Sequence, residues 1–116
     1  MTETIELSLT EGRLAMHLLA QPVGQDWNIT LSGGDRPHIG AVAVVGPDFP
    51  CSLLCLPHHR ESDIAKRLAL AVANHTGSTV CVSCGIHLDD ITPDEISLVH
   101  TFVEKFISEV MNRLFG

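Results

Sequence analysis

The most chemically dense stretch of this chain is CVSCGIHLDD, residues 81–90, which holds two cysteines, a histidine and two carboxylates. A C-x-x-C pair is typical of a zinc knuckle or a redox-active thiol pair. The flanking residues, however, alternate between apolar and small or polar side chains, as in a β-strand. Strand side chains three apart point to opposite faces, so Cys81 and Cys84 are not placed to bind one ion. No helix begins at Cys81 to activate its thiol, and we interpret both as packing residues.

A second pair, Cys51 and Cys55, has an even spacing that puts both sulfurs on one face of a strand. No export signal precedes these cysteines, which favours reduced thiols over disulfides. We expect both to be buried thiols, because a four-cysteine metal site would require all four side chains to converge.

Three of the seven histidines lie where one predicted element gives way to the next: His38, His59 and His87. Strand ends and the loops that follow them are common positions for functional sites. Asp89 adds a carboxylate two residues after His87. These four side chains form a candidate metal site, which leaves a metal-dependent enzyme or a metal-binding domain as one hypothesis.

The stretch GGDRPHIG, residues 33–40, is a second candidate region. Its two leading glycines permit a tight turn, and Gly40 lets a backbone or a flat ligand approach closely. It lacks the GxxxxGK[ST] pattern of a phosphate loop. Arg36 and Arg60 are planar groups that could bind a phosphate or carboxylate. No GxSxG elbow or activated nucleophile is evident, so a nucleophilic triad is poorly supported, while other classes of enzyme stay open.

Hydrophobic periodicity predicts the elements that position these residues. Period-2 patterns predict three antiparallel strands joined by short turns, over residues 4–10, 14–18 and 27–31. The run 38–45 is apolar on both faces, as expected for a central strand covered on both sides. Residues 51–56 are predicted to form a fifth strand.

The second half of the chain predicts helix, strand and helix. A helix over 62–75 ends before Gly77, and a strand follows over 78–88. Thr92, Pro93 and Glu95 together form a capping box for a final helix that ends near residue 113. We therefore expect one α+β domain over residues 1–116, a mainly antiparallel sheet of about six strands with two helices packed on it.

Composition excludes several classes of partner. Fourteen acidic residues against seven basic ones give a net charge of -7, and no basic run is present. Binding to nucleic acid or to an anionic membrane surface is therefore not expected. No apolar run approaches the length of a membrane span, and the acidic N-terminus lacks the features of a signal peptide, so we expect a cytoplasmic protein.

Three separated motifs resemble one known family. GGDRPHIGAVAV, PHHRESDIAKRLA and GIHLDDITPDEI resemble the LpdD-like proteins, the small D-type subunit of gallate decarboxylase, which are described as prenylated-flavin chaperones. The resemblance spans about residues 33–110. The family fold is similar to that of proteasome-assembly-chaperone domains.

The resemblance implies a non-catalytic helper, expected to be a homodimer. It would hold prenylated FMN as cargo while the cofactor passes from a flavin prenyltransferase to a UbiD-type decarboxylase. Histidines would hold the ring edge, an arginine the phosphate, and the small-residue face of the 78–88 strand would form a flat slot beside Gly40. The residues assigned to cofactor binding are His38, Gly40, His59, Arg60, Gly85, His87 and Asp89. A protein-interaction module without a ligand remains the third hypothesis.

Overall fold

The chain folds into one six-stranded sheet with two helices. The computed structural model describes residues 3–57 and 61–115. In chain order the elements are β1 (Ile5–Glu11), β2 (Leu14–Val23), β3 (Asp26–Gly34), β4 (Ala41–Gly46), β5 (Phe49–Cys55), α1 (Ser62–Thr76), β6 (Val80–His87) and α2 (Pro93–Phe115). Neither helix combines the length and the apolar character needed to cross a membrane.

The strand order in the sheet is β1-β2-β3-β6-β4-β5. Four of the five neighbouring pairs are antiparallel, and β3 pairs with β6 in parallel. The first three strands form a meander, with Gly12 and Gly24 at positive φ in its two turns. After β5 the chain crosses through α1 and returns as β6 between β3 and β4. The predicted α+β class and six-stranded, mainly antiparallel sheet are confirmed.

Both helices cover the same face of the sheet. Ala41, Ala43 and Val45 of β4 are buried on the face against which α1 packs, and α2 contacts α1, β1 and β2. The opposite face of β4, which carries Val42 and Val44, is only half-buried. The expectation that this strand is covered on both sides is therefore wrong for the single chain.

Strand boundaries differ from the predicted ones where the tertiary structure decides them. The strand expected from residue 38 begins at Ala41, because the preceding chain leaves the ladder. The strand expected from residue 51 begins at Phe49 and includes Pro50, which an edge strand tolerates because its outer side needs no N–H donor. The predicted 78–88 strand is trimmed to Val80–His87.

The cysteines follow the sheet's two faces. Cys84 is buried and Cys81 is half-buried, as the alternate-face prediction requires. Burial, followed by the nearby Glu61 charge, raises the pKa of Cys84 to about 12, so its thiol is a poor nucleophile. On the edge strand Cys51 is half-buried but Cys55 is exposed, so the expectation that both are buried is wrong for Cys55.

The start of α2 is held by a capping box and by a clamp from the sheet. Thr92 Oγ1 accepts from the Glu95 N–H at 3.1 Å, and Glu95 Oε1 accepts from the Thr92 N–H at 3.0 Å. Arg13, in the β1–β2 turn, donates from Nε to Glu95 Oε2 at 2.6 Å and from Nη2 to Oε1 at 2.8 Å. This two-pronged contact ties the first turn of α2 to the β1–β2 turn of the sheet.

The contact between Arg13 and Glu95 predicts that the free energy of unfolding falls in acid. Hydrogen bonding to Arg13, followed by that to Thr92, lowers the pKa of Glu95 from 4.5 to about 2. A carboxyl whose pKa is lower in the folded state stabilises the fold above its ordinary pKa, and this contribution is lost as the pH falls toward 2. Glu95→Gln should therefore lower the free energy of unfolding in urea at pH 7, and the difference from wild type should shrink between pH 4.5 and 2. An equal difference at both ends of that range would contradict the assignment.

Candidate functional site

A cavity of about 730 Å³ opens where the end of β6 meets the N-terminal halves of α1 and α2. This volume is within the range of small-molecule sites. Its apolar lining consists of Ile64, Ile86, Leu88, Ile91, Ile96 and Val99. Its polar lining consists of His38, Glu61, Asp63, His87 and His100. A smaller hollow of about 400 Å³ between β1 and α2 is lined by none of the predicted site residues.

The wall of the cavity forms where β4 stops pairing with β6. Their register ends at the pair Ala41–Cys84, where the Gly40 N–H still donates to Cys84 O at 2.8 Å. The chain before Gly40 crosses directly over Gly85, and a Cβ on Gly85 would overlap the carbonyl oxygen of His38. The expected flat slot over this part of β6 is therefore filled by the chain itself, and neither glycine lines the cavity.

His38 and Glu61 form a pair at the base of this wall. His38 Nδ1 lies 2.9 Å from Arg36 O, and its Nε2 lies 3.2 Å from Glu61 Oε1. The Ile86 N–H donates to the same carboxylate oxygen at 3.3 Å. Ile86 lies beyond the last β4–β6 pair. The Glu61 carboxylate therefore provides the acceptor for an N–H group of β6 that has no partner on β4.

Glu61 was not among the residues predicted from the sequence to belong to the site. A glutamate just ahead of a helix is usually a solvent-exposed residue that favours the helix dipole. Here Glu61 occupies the N-cap of α1, but its side chain turns toward β6 and is only 8% exposed. The signal that could have indicated it is its place within the motif PHHRESDIAKRLA.

His87 and Asp89 form a second pair at the rim. His87 Nε2 lies 3.0 Å from Asp89 Oδ1, and Arg36 Nη2 donates to the same oxygen at 2.5 Å. These contacts, with the His87 hydrogen bond the larger, lower the pKa of Asp89. The Asp89 N–H also donates to Asp35 Oδ2 at 3.2 Å, which fixes the turn after β6. Asp89 thus orients His87 and does not itself line the cavity.

His100 on α2 and Asp63 on α1 are two more polar lining residues that were not predicted from the sequence. The Nδ1 of His100 lies 3.5 Å from Arg67 Nη2, and Arg67 Nη1 lies 3.3 Å from Glu104 Oε1. The helical periodicity places His100 one turn after Ile96, which also lines the cavity. That spacing was a usable signal, because His100 shares the face that carries the apolar stripe.

The structure brings together part of the predicted site. His38 and His87 line one cavity, Asp89 supports His87, and Gly40 and Gly85 shape the wall. His59 and Arg60 lie outside the described residues. Within residues 3–57 and 61–115 no group of three or more histidine, cysteine or acidic side chains could hold a metal ion. His38 and His87 instead contact two separate carboxylates.

Comparison with known proteins identifies related chains. A family model described as "Prenylated flavin chaperone LpdD-like domain" matches residues 10–115. Protein LpdD of Lactiplantibacillus plantarum is 23% identical over 104 residues, which cover 85% of this chain and 76% of that protein.

The fold has a solved counterpart. A crystal structure of a novel chaperone complex for yeast 20S proteasome assembly aligns with a TM-score of 0.59 at 14% identity, over 98% of both chains. At this identity the comparison concerns the fold alone. It confirms the expected similarity to proteasome-assembly chaperones.

The close approach of the chain at His38 to Gly85 predicts that a side chain at position 85 destabilises the fold. Gly85→Ala should lower the free energy of unfolding by about 1–3 kcal/mol, because its methyl group would displace the backbone at His38. Gly46→Ala is the matched control, since the nearest atoms to its new Cβ lie 3.3 and 3.4 Å away and include a side-chain hydroxyl that can shift. Urea titration of both variants measures the difference. Equal stability of the two alanine variants would show that the crossing is not close-packed.

Proposed function

Because the chain belongs to the LpdD-like family of prenylated flavin chaperones, we propose that it binds prenylated FMN and delivers it to a UbiD-type decarboxylase. In this proposal the cofactor arrives from a flavin prenyltransferase, and the transfer takes place in the cytoplasm. The observation that carries the proposal is the cavity in which His38 and His87, predicted from the family motifs, both line the surface.

The chemistry of the lining suits a flat heteroaromatic ligand. Aliphatic side chains from α1, β6 and α2 offer an apolar surface for a tricyclic ring. Imidazoles at His38, His87 and His100 offer hydrogen bonds to the polar edge of that ring. For the phosphate we propose Arg60, on the basis of the sequence motif alone.

The lining also fits a carrier better than a catalyst. Each of its imidazoles contacts a charged side chain, His38 with Glu61, His87 with Asp89 and His100 with Arg67, an arrangement that holds the rings in place. Ile91 and Ile96 are 37% and 45% exposed, so the apolar lining continues to the surface. A ligand seated there would remain accessible to an acceptor protein, as delivery requires.

Direct titration tests the proposal. Purified protein should bind FMN and prenylated FMN, detected by flavin fluorescence or calorimetry, and His38→Gln and His87→Gln should each weaken binding about tenfold through the loss of a hydrogen bond to the ligand. His17→Gln is the matched control, because His17 lies on β2 against Ser8 and does not line the cavity.

Cellular delivery provides a second measurement of the same proposal. Co-expression with a UbiD-type decarboxylase and a flavin prenyltransferase should raise the cofactor-loaded fraction of the decarboxylase. Failure of both flavins to bind, together with no gain in loaded decarboxylase, would refute the proposed function.

The uncovered face of the sheet supports the expected homodimer. The central side chains of this face are Thr30, Ser32, Val42, Val44, Cys81 and Ser83, all uncharged and half-buried. A solvent-facing sheet in a chain with a net charge of -7 would be expected to carry charges there. Small neutral side chains instead allow two sheets to stack, and we propose that a second copy covers this face.

A charge placed on that face should break the dimer. Thr30→Glu should shift the protein from dimer to monomer in light scattering after size-exclusion chromatography, because each copy would have to bury an unpaired carboxylate between the two sheets. Thr101→Glu, on an exposed position of α2, is the matched control and should remain dimeric. A wild-type protein that is monomeric at high micromolar concentration would contradict the proposed dimer.

A further inference from the structure

The two edges of the sheet differ in how well they could accept another strand. At one edge, β5 contains Pro50 and lies opposite a register shift between Val44 and Gly46. A proline and a bulge are features by which edge strands avoid further pairing. At the other edge, all residues of β1 (Ile5–Glu11) pair with β2 in unbroken register, and none is a proline. The edge of β1 is therefore regular enough to take a further strand.

The backbone groups that β1 leaves unpaired follow from its turn with β2. The turn has two residues, and its Gly12 has a φ of +59°, as a tight hairpin turn requires. The pair that closes such a turn, Glu11 and Leu14, exchanges backbone hydrogen bonds, and bonding then alternates along the ladder. The N–H and C=O groups that point away from the sheet therefore belong to three alternate residues: Glu6, Ser8 and Thr10.

The hollow of about 400 Å³ between β1 and α2 lies beside these backbone groups. Its apolar lining is Leu7, Leu9 and Phe106, and the two leucines are only half-buried. Ser8 lies at its edge, with Oγ 2.8 Å from His17 Nδ1 on β2. The α2 side of the hollow is polar, formed by Lys105, Ser108, Glu109 and Asn112. A row of unpaired backbone groups next to an apolar hollow is the arrangement that binds an extended peptide as an added strand.

We propose that the edge of β1 binds an extended segment of another protein, which carries apolar side chains over Leu7 and Leu9 and a basic side chain opposite Glu6. In this mode the backbone hydrogen bonds supply affinity, and alternate side chains supply specificity. Among the described residues the hollow shares no lining residue with the cavity at the end of β6, so strand addition here does not depend on flavin binding.

Charge distinguishes another protein from a second copy at this edge. Residues 1–12 contain Glu3, Glu6 and Glu11 and no basic side chain. If two copies paired through β1, each would contribute these three carboxylates to one pair of strands, and like charges on neighbouring strands are destabilising. A basic side chain opposite Glu6 would instead form a favourable cross-strand pair. The occupant that this edge favours is therefore a basic, alternating strand, which this chain does not offer from its own β1.

A synthetic peptide tests strand addition on the unaltered protein. The probe is an end-capped nine-residue peptide in which valine and leucine alternate with threonine and lysine, and its binding is measured by fluorescence anisotropy. Two control peptides keep its charge: one groups the apolar residues together, and the other is N-methylated at two adjacent central residues, which blocks both of its edges. Each control should bind at least tenfold more weakly. A control that binds as well as the probe, or a probe that fails to bind at millimolar concentration, would overturn the proposal.

A pair of variants at position 8 tests the same contact from the protein side. Ser8→Pro removes an N–H that points away from the sheet, so β1 should still pair with β2. Ser8→Ala is the matched control, because it loses the same contact with His17 but keeps the N–H. Ser8→Pro should weaken binding of the probe about tenfold relative to Ser8→Ala. Equal dissociation constants for two folded variants would rule out strand addition at β1, and the peptide controls decide the question if Ser8→Pro does not fold.

The charge and the identity of the occupant have separate measurements. Glu6→Lys should weaken binding of the lysine probe and strengthen binding of a glutamate counterpart, each about threefold. Asp48→Lys is the control, because it makes the same change in net charge at an exposed position in the β4–β5 turn. The same shifts in Asp48→Lys would refute the pairing with Glu6. In hydrogen exchange the probe should slow the amides of Glu6, Ser8 and Thr10. Slowing of these amides with rising protein concentration alone would show a second copy at the edge and would refute the proposed partner.

Discussion

The cavity depends on a mismatch in length between two neighbouring strands. β6 continues through His87, paired with β3, whereas its pairing with β4 ends at Ala41–Cys84. A strand edge left within a fold needs partners for its N–H and C=O groups. Here the Glu61 side chain accepts from Ile86, and the chain before Gly40 folds back over Gly85. The cavity is the space between α2 and these two groups, the Glu61 side chain and the chain before Gly40. Its position is therefore set by where β4 stops pairing with β6.

Ion pairs fasten the elements that surround the cavity. Three arginines near the cavity are already committed to carboxylates: Arg13 to Glu95, Arg36 to Asp89 and Arg67 to Glu104. These pairs fasten α2 and the turn after β6, and their charges are largely neutralised. The three arginines therefore hold the surroundings of the cavity in place, and the imidazoles of His38, His87 and His100 line the cavity itself.

Local chemistry made much of the fold predictable, and long-range contacts account for what was missed. The Thr92–Glu95 capping box and the stop at Gly77 each depend on residues within one helical turn, and both were found from the sequence. The parallel β3–β6 pair and the burial of Glu61 depend on partners 25 or more residues away, which periodicity does not report. For the site, the position of His87 at a strand end was informative because the strand pattern fixes it. The burial of Glu61 depends on where β4 leaves the sheet.

The fold itself does not carry the cofactor proposal. The chaperone complex for yeast 20S proteasome assembly has a similar fold at 14% identity, and a fold alone does not identify a ligand. Ligand binding would depend on the residues that line the cavity at one end of the sheet. Dimer formation would depend on the uncovered face of the sheet. The central residues of that face and the residues of the cavity belong to different sets, which means that assembly and ligand binding can be altered separately by mutation. Glu61 lies at a third location, the seam between β6 and α1, where a single carboxylate contacts both the backbone N–H of Ile86 and the side chain of His38.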